Sequence, residues 1–233
     1  ETLPSILALN TGAPFQPFNR SPQITYSHKL TSKVGVSASA SWQSDYTSNG
    51  PIGYSNVYFR NAVLPDFTLH LKYTNAAFQI GILGDIFVIQ PRTQTVSPLN
   101  GNILKANTKL TSISYQGYLK YSSNKLFAIA KAVVGQNLAH QLLLGGYGTT
   151  SIDNQTGAEQ YTPFNHLSTY LNIGYGKSVK TSLFFGYEKN LGTDKVLVGS
   201  SQNIYGRSLN IASLIRISPN ITWTVKNFML GAE

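Results

Sequence analysis

The sequence predicts an all-β chain, a transmembrane antiparallel up-and-down β-barrel. Three observations carry this. About ten segments alternate strictly between apolar and polar residues, the pattern of an extended strand with two unlike faces. They come in pairs joined by tight turns, and much longer irregular segments separate the pairs, as in outer-membrane barrels. Only 12% of the 233 residues are charged, about half the soluble average of roughly 25%. No apolar run reaches the 18 or more residues of a spanning helix. Closed barrels are the other structure that satisfies its backbone in lipid.

Residues 1–21 read as loop, broken by Pro4, Pro14 and Pro17. Strand one is 22–30, with Ile24, Tyr26 and Leu30 on one face. Thr31-Ser32 turns it into strand two, 33–43, where Val34, Val36, Ala38, Ala40 and Trp42 oppose Gly35, Ser37, Ser39, Ser41 and Gln43. The segment 44–65 contains a strand-like stretch, Asn56 to Val63. Counting it would move the next long loop to the wrong side of the membrane, so it is assigned to an ordered loop. Strand three is 66–73, and Thr74-Asn75-Ala76 turns it into strand four, 77–88. A loop at 89–109 precedes strand five, 110–121, and Ser122–Lys125 leads to strand six, 126–136. The longest loop is 137–165. Strands seven and eight are 166–177 and 180–190. After a loop at 191–206, strand nine is 207–217, Ser218-Pro219-Asn220 is a tight turn, and strand ten is 221–231.

Charge placement tests this register. Lys72, Asp85, Lys120, Lys131, Glu188, Arg216 and Lys226 read as mid-strand charges. All but Lys131 oppose the apolar face of their own strand. Lys131 shares a face with Phe127 and Ile129, yet the other face, Leu126, Ala128, Ala130, Ala132 and Val134, is wholly apolar, so Lys131 is placed inside. A Lys or Arg toward lipid at the midplane costs about 2 to 4 kcal/mol. Aromatics gather at strand ends, with Tyr73, Phe78, Tyr121, Tyr175 and Trp223 near the short turns and Trp42, Phe67 and Tyr187 near the long loops, as in interfacial girdles.

The formal charge is +9. No Lys/Arg-rich run or helical basic stripe accompanies it, so nucleic acid is not expected as a partner. Cysteine is absent, which removes disulfides and thiolate metal sites. His28, His70, His140 and His166 lack metal-ligand spacing. Gly176-Lys177-Ser178 resembles the end of a P-loop, but its first glycine would fall on Leu171. No G-x-S-x-G motif occurs. Neither an enzyme nor a cofactor is expected.

Asn19-Arg20-Ser21-Pro22-Gln23-Ile24, Leu64-Pro65-Asp66-Phe67 with Leu69-His70-Leu71-Lys72-Tyr73, and Phe78-Gln79-Ile80-Gly81-Ile82-Leu83 resemble the DcaP-like porins of Gram-negative outer membranes. The resemblance implies a sixteen-stranded, homotrimeric barrel for passive uptake of small, often anionic, solutes. The ten strands then read as part of such a barrel, five strands short upstream and one downstream. The expected surroundings are outer-membrane lipid and lipopolysaccharide.

On this reading the pore-lining residues are Lys72, Lys120, Lys131, Arg216, Lys226, Asp85, Glu188, His70 and Gln116. Five bases against two acids would favour small anionic solutes. Arg20, Arg60 and Arg92 are candidates for loops folded inward to narrow the pore, with surface solvation the plainer reading for Arg60 and Arg92. Two other functions stay open: a structural barrel in an outer-membrane secretion or adhesion complex, and a soluble β-sheet binding module.

Overall fold

Alternation and turn chemistry together make one antiparallel sheet. In the computed structural model, which describes residues 3–10, 12–44, 47–198 and 203–233, the strands are β1 (Gln23–Lys29), β2 (Val34–Ser41), β3 (Ser48–Gly50), β4 (Gly53–Ser55), β5 (Asp66–Thr74), β6 (Phe78–Ile89), β7 (Gln94–Val96), β8 (Ile103–Lys105), β9 (Leu110–Ser122), β10 (Leu126–Gln136), β11 (Gly145–Ile152), β12 (Glu159–Gly176), β13 (Val179–Thr193), β14 (Ile204–Arg207), β15 (Ser213–Val225) and β16 (Phe228–Ala232). One short helix, α1 (Val57–Ala62), lies between β4 and β5. The main path runs β1-β2-β5-β6-β9-β10-β12-β13-β15-β16, with β11 and β14 attached beside β12, and the sheet is not closed. Among the described residues no helix is long and apolar enough to cross a membrane.

The five hairpin turns of the main path fall at one end. Two show how local chemistry sets them. Thr31 Oγ1 accepts the amides of Lys33 (3.1 Å) and Val34 (2.9 Å). Asn75 Oδ1 accepts those of Ala77 (2.9 Å) and Phe78 (2.8 Å). Such side-chain acceptors replace backbone partners and favour the turn.

The sheet is inside out relative to a soluble protein. Leu69, Ile82 and Tyr115 are 59%, 60% and 66% exposed, whereas Ser112 and Asn172 on the opposite face are 0%. Burial alternates along β9 with period two, as a pleated strand requires. A face this apolar and this exposed is suited to lipid rather than water.

At the other end the long loops pack together. The β3–β4 and β7–β8 hairpins, α1, β11 and β14 gather over the strand ends, and Tyr58, Phe59, Phe87, Ile89, Leu110, Tyr147, Tyr161 and Tyr205 form their core.

Several expectations need correction. The stretch from Asn56 to Val63 is in the loop, as expected, but it holds helix α1 rather than an extended run. Strand seven begins seven residues earlier, at Glu159, because its upper part pairs with β11 above the sheet. The turn at Ser218-Pro219-Asn220 does not exist. β15 runs straight through it, pairing Leu183 with Pro219 and Ile221 with Thr181. β16 pairs only residues 221–225 of β15, so Pro219 lies in an edge stretch, where a strand tolerates proline. The turn is at residues 226–227, and Leu209 and Ile211 belong to the preceding loop. The ten expected strands correspond to the ten of the main path, with the start of strand seven and the bounds of the last two moved, while β3, β4, β7, β8, β11 and β14 lie in segments expected to be irregular loop. Expected loop residues at 1–2, 11, 45–46 and 199–202 lie outside the described residues.

Candidate functional site

The polar inner face is crossed by the N-terminal segment. Phe15 is the centre of its attachment. It is 1% exposed and packs with Ile129, Tyr170 and Phe184, the last with ring centroids 6.0 Å away. Gly186 makes the room, since a Cβ there would stand 2.5 Å from the Phe15 ring. Polar anchors flank it. Ser5 donates its amide to Asn172 Oδ1 (2.7 Å), Lys131 Nζ donates to Gln16 Oε1 (3.0 Å), and Arg216 donates to Asn10 Oδ1 (3.0 Å). Farther along, Asn19 Nδ2 and Ser21 Oγ donate to Gln43 Oε1 on the far side of the face (2.8 and 2.9 Å). The segment thus reaches from β15 across to β2.

Strand register explains where it sits. Lys72, Gly81, Tyr118, Lys131, Tyr170, Gly186 and Arg216 are successive cross-strand neighbours from β5 to β15. One row therefore alternates bases with tyrosines and glycines. The glycines lie beneath rings: a Cβ at Gly81 would meet the Tyr118 ring at 2.4 Å. Tyr118 turns its hydroxyl to His70 Nε2 at 3.0 Å.

Beside the segment, toward β2, β5, β6 and β9, a recess of about 390 Å3 remains open. Its lining includes Arg20, Gln43, Asp66, Thr68, Asp85 and Gln116. Gln43 Nε2 donates to Asp66 Oδ2 (2.5 Å), and Thr68 Oγ1 donates to Asp85 Oδ1 (2.8 Å). Asp66 Oδ1 and Asp85 Oδ2 have no partner among the described residues. His140, in the loop turn Leu138–Gln141, places Nε2 3.7 Å from Asp66 Oδ2, too long for a hydrogen bond. Its ring lies between Phe59 and Phe87, with centroids 5.2 and 4.3 Å away. Burial pushes its pKa down to about 4, so it is neutral at pH 7.

The residues expected on the pore wall have separate positions. His70, Lys72, Asp85, Gln116, Lys120, Lys131, Glu188 and Arg216 share the inner face. Lys72 and Lys120 are half-buried toward the short turns. Lys131 and Arg216 hold the N-terminal segment, and Arg216 also meets Glu233 Oε1 at 2.7 Å. Glu188 is fully buried and accepts the Leu144 amide at 2.7 Å, fastening the loop turn above it. The mid-strand reading of Lys226 is corrected: it lies in the turn after β15, with φ of 52°. The preceding strand was ended eight residues too early, at 217 rather than at Val225.

Of the three loop arginines, only Arg20 lines the recess. Arg60 is exposed on α1. Arg92 pairs with Glu159 (2.9 Å), which also accepts from Thr149 (3.2 Å), in the packed loops. Sequence reasoning did not single out Asp66, although it has the parity of Thr68, His70 and Lys72 and so shares their face. Phe15 carried no such signal, because a loop has no period. Gly186, a glycine inside a strand, was the available hint of a close approach. Among the described residues no group of three or more His, Asp or Glu could hold a metal ion.

No protein-family model matches the chain, and no curated protein matches it by sequence. Among solved structures, the outer membrane channel DcaP of Acinetobacter baumannii is similar with a TM-score of 0.66 at 14% sequence identity. The match covers 99% of this chain and 60% of that one. At that identity the likeness concerns the fold, and the resemblance expected from the sequence is met at that level. The chain spans 60% of the length of that channel.

Proposed function

We propose that this chain forms part of the wall of a water-filled channel in a bacterial outer membrane, through which small hydrophilic solutes diffuse with no chemical step. One observation carries the reading: the sheet exposes its apolar side chains outward and turns its charged and polar ones inward, and a segment lying across the inner face leaves a polar recess open beside it. Only a channel needs both a lipid-compatible outside and a solvated, partly narrowed inside. The likeness in fold to an outer membrane channel supports it. So does the packing of the long loops at the end opposite the short turns.

The full barrel of this reading has sixteen strands and assembles as a homotrimer. Anions are favoured at the short-turn end, where Lys72 and Lys120 stand on the inner face, because a narrow low-dielectric passage focuses such charge. Arg20 narrows the passage from the segment side. A second reading, a barrel that does not conduct and serves as a structural subunit, draws on the close seating of the N-terminal segment. Planar-bilayer recording on the full-length protein separates the two. Stable conductance steps, with a reversal potential displaced toward anions in a salt gradient, are expected. A purified, assembled barrel that never conducts would overturn the channel.

A further inference from the structure

We infer that the recess between Arg20 and the Asp66–Asp85 wall binds a zwitterionic solute, with its ammonium or guanidinium group on the two carboxylates and its carboxylate on Arg20. This rests on the channel reading for its purpose, but its geometry stands apart. The recess measures about 390 Å3, within the roughly 300 to 1,000 Å3 of small-molecule sites. Each carboxylate is held by one oxygen only. Gln43 orients Asp66 and Thr68 orients Asp85, and in each the second oxygen is buried without a partner among the described residues. Asp66, just 4% exposed, is the stronger indication. A buried carboxylate oxygen without a donor is costly, and a group with several N–H donors is the chemistry that relieves it. His140, the nearest basic side chain to Asp66, is neutral and 3.7 Å off.

The opposite charge is placed by the same network. Arg20 is exposed, with its guanidinium 5.0 Å from the centroid of the Phe18 ring. Asn19 and Ser21 on either side of it both donate to Gln43, whose other end orients Asp66. One glutamine therefore fixes the cationic side of the recess relative to the anionic side. A solute with one charge satisfies half of this arrangement, and a zwitterion satisfies both halves. Small α-amino acids, and basic ones above all, have that form.

The test is titration calorimetry on the full-length protein in detergent, paired with planar-bilayer recording, using L-arginine, agmatine (which lacks the carboxylate), glutarate (which lacks the cation) and calcium chloride at matched ionic strength. L-arginine is expected to bind and to interrupt the current. Asp85→Asn, which keeps the side-chain shape, should weaken L-arginine at least tenfold. Arg20→Gln should weaken L-arginine severalfold but leave agmatine unchanged. Glutarate binding as well as L-arginine, calcium alone titrating the recess, or L-arginine unaffected by Asp85→Asn would each overturn the site. Binding that depends on Asp85 in a barrel that never conducts would leave the site standing and remove the channel. Conductance without L-arginine binding would do the reverse.

Discussion

Replacing Phe15 with alanine should release the N-terminal segment from the inner face while leaving the sheet intact. Phe15 is 1% exposed and, among the described residues, is the one aromatic of the segment buried with Ile129, Tyr170 and Phe184. Phe→Ala at a buried site costs about 3 to 5 kcal/mol. The remaining anchors, such as Lys131 to Gln16 and Arg216 to Asn10, contribute on the order of 1 kcal/mol each. The substitution therefore shifts the docked-to-undocked ratio by roughly two to three and a half powers of ten, at about 1.4 kcal/mol per decade. Gly186→Val approaches the same contact from the wall, since even a Cβ at Gly186 would lie 2.5 Å from the Phe15 ring. The assay is single-channel recording of the full-length protein, with limited proteolysis to report whether residues 3–18 have become accessible. Both variants should conduct more, fluctuate more, and be cut in that segment. Unchanged conductance in both, with the segment still protected, would refute the idea that Phe15 and Gly186 seat it.

Neutralising Lys72 and Lys120 together to glutamine should move the reversal potential toward cations, and raising salt should shrink the difference through screening. Lys226→Gln, in a hairpin turn, should leave selectivity unchanged. His140 gives a pH dependence. Its folded pKa of about 4 lies below the ordinary 6.5, so its contribution is fully present above pH 6.5 and is lost as pH falls from there toward 4. The loss amounts to about 3 kcal/mol at the acid limit. Hydrogen exchange of the 137–144 turn should accelerate over that window, and in His140→Leu it should not.

Period two made most of the sheet legible. β6, β9 and β10 match their expected bounds to within a residue or so, since a strand with one lipid face and one wet face writes its register into every second position. The same rule placed Lys131 inside despite its apolar companions Phe127 and Ile129, and the structure explains them: Ile129 and Phe127 pack beneath the segment around Phe15. It failed at Pro219, where a proline signal outweighed parity. Ile215, Ile217, Ile221, Trp223 and Val225 are all odd-numbered, and that unbroken parity already described one strand. The site was less legible. Its inward residues follow from register, but its other wall is an irregular segment whose path depends on Phe15 finding the space above Gly186. Which inward charges face the recess and which are taken up as anchors is likewise a tertiary outcome, decided by where residues 3–10 and 12–21 lie.

Paired arginine substitutions decide whether the apolar face meets lipid and the polar face does not. Ile82 is 60% exposed on the outer face, between Leu71 and Gly117. Gln116 neighbours it on the opposite face and lines the recess. Arginine toward lipid near the midplane costs about 2 to 4 kcal/mol. The measurement is assembly of the full-length protein into lipid vesicles, read by heat-modifiable migration on gels. Ile82→Arg should assemble poorly and Gln116→Arg as well as the parent protein. Equal assembly of both, or a defect confined to Gln116→Arg, would contradict the account.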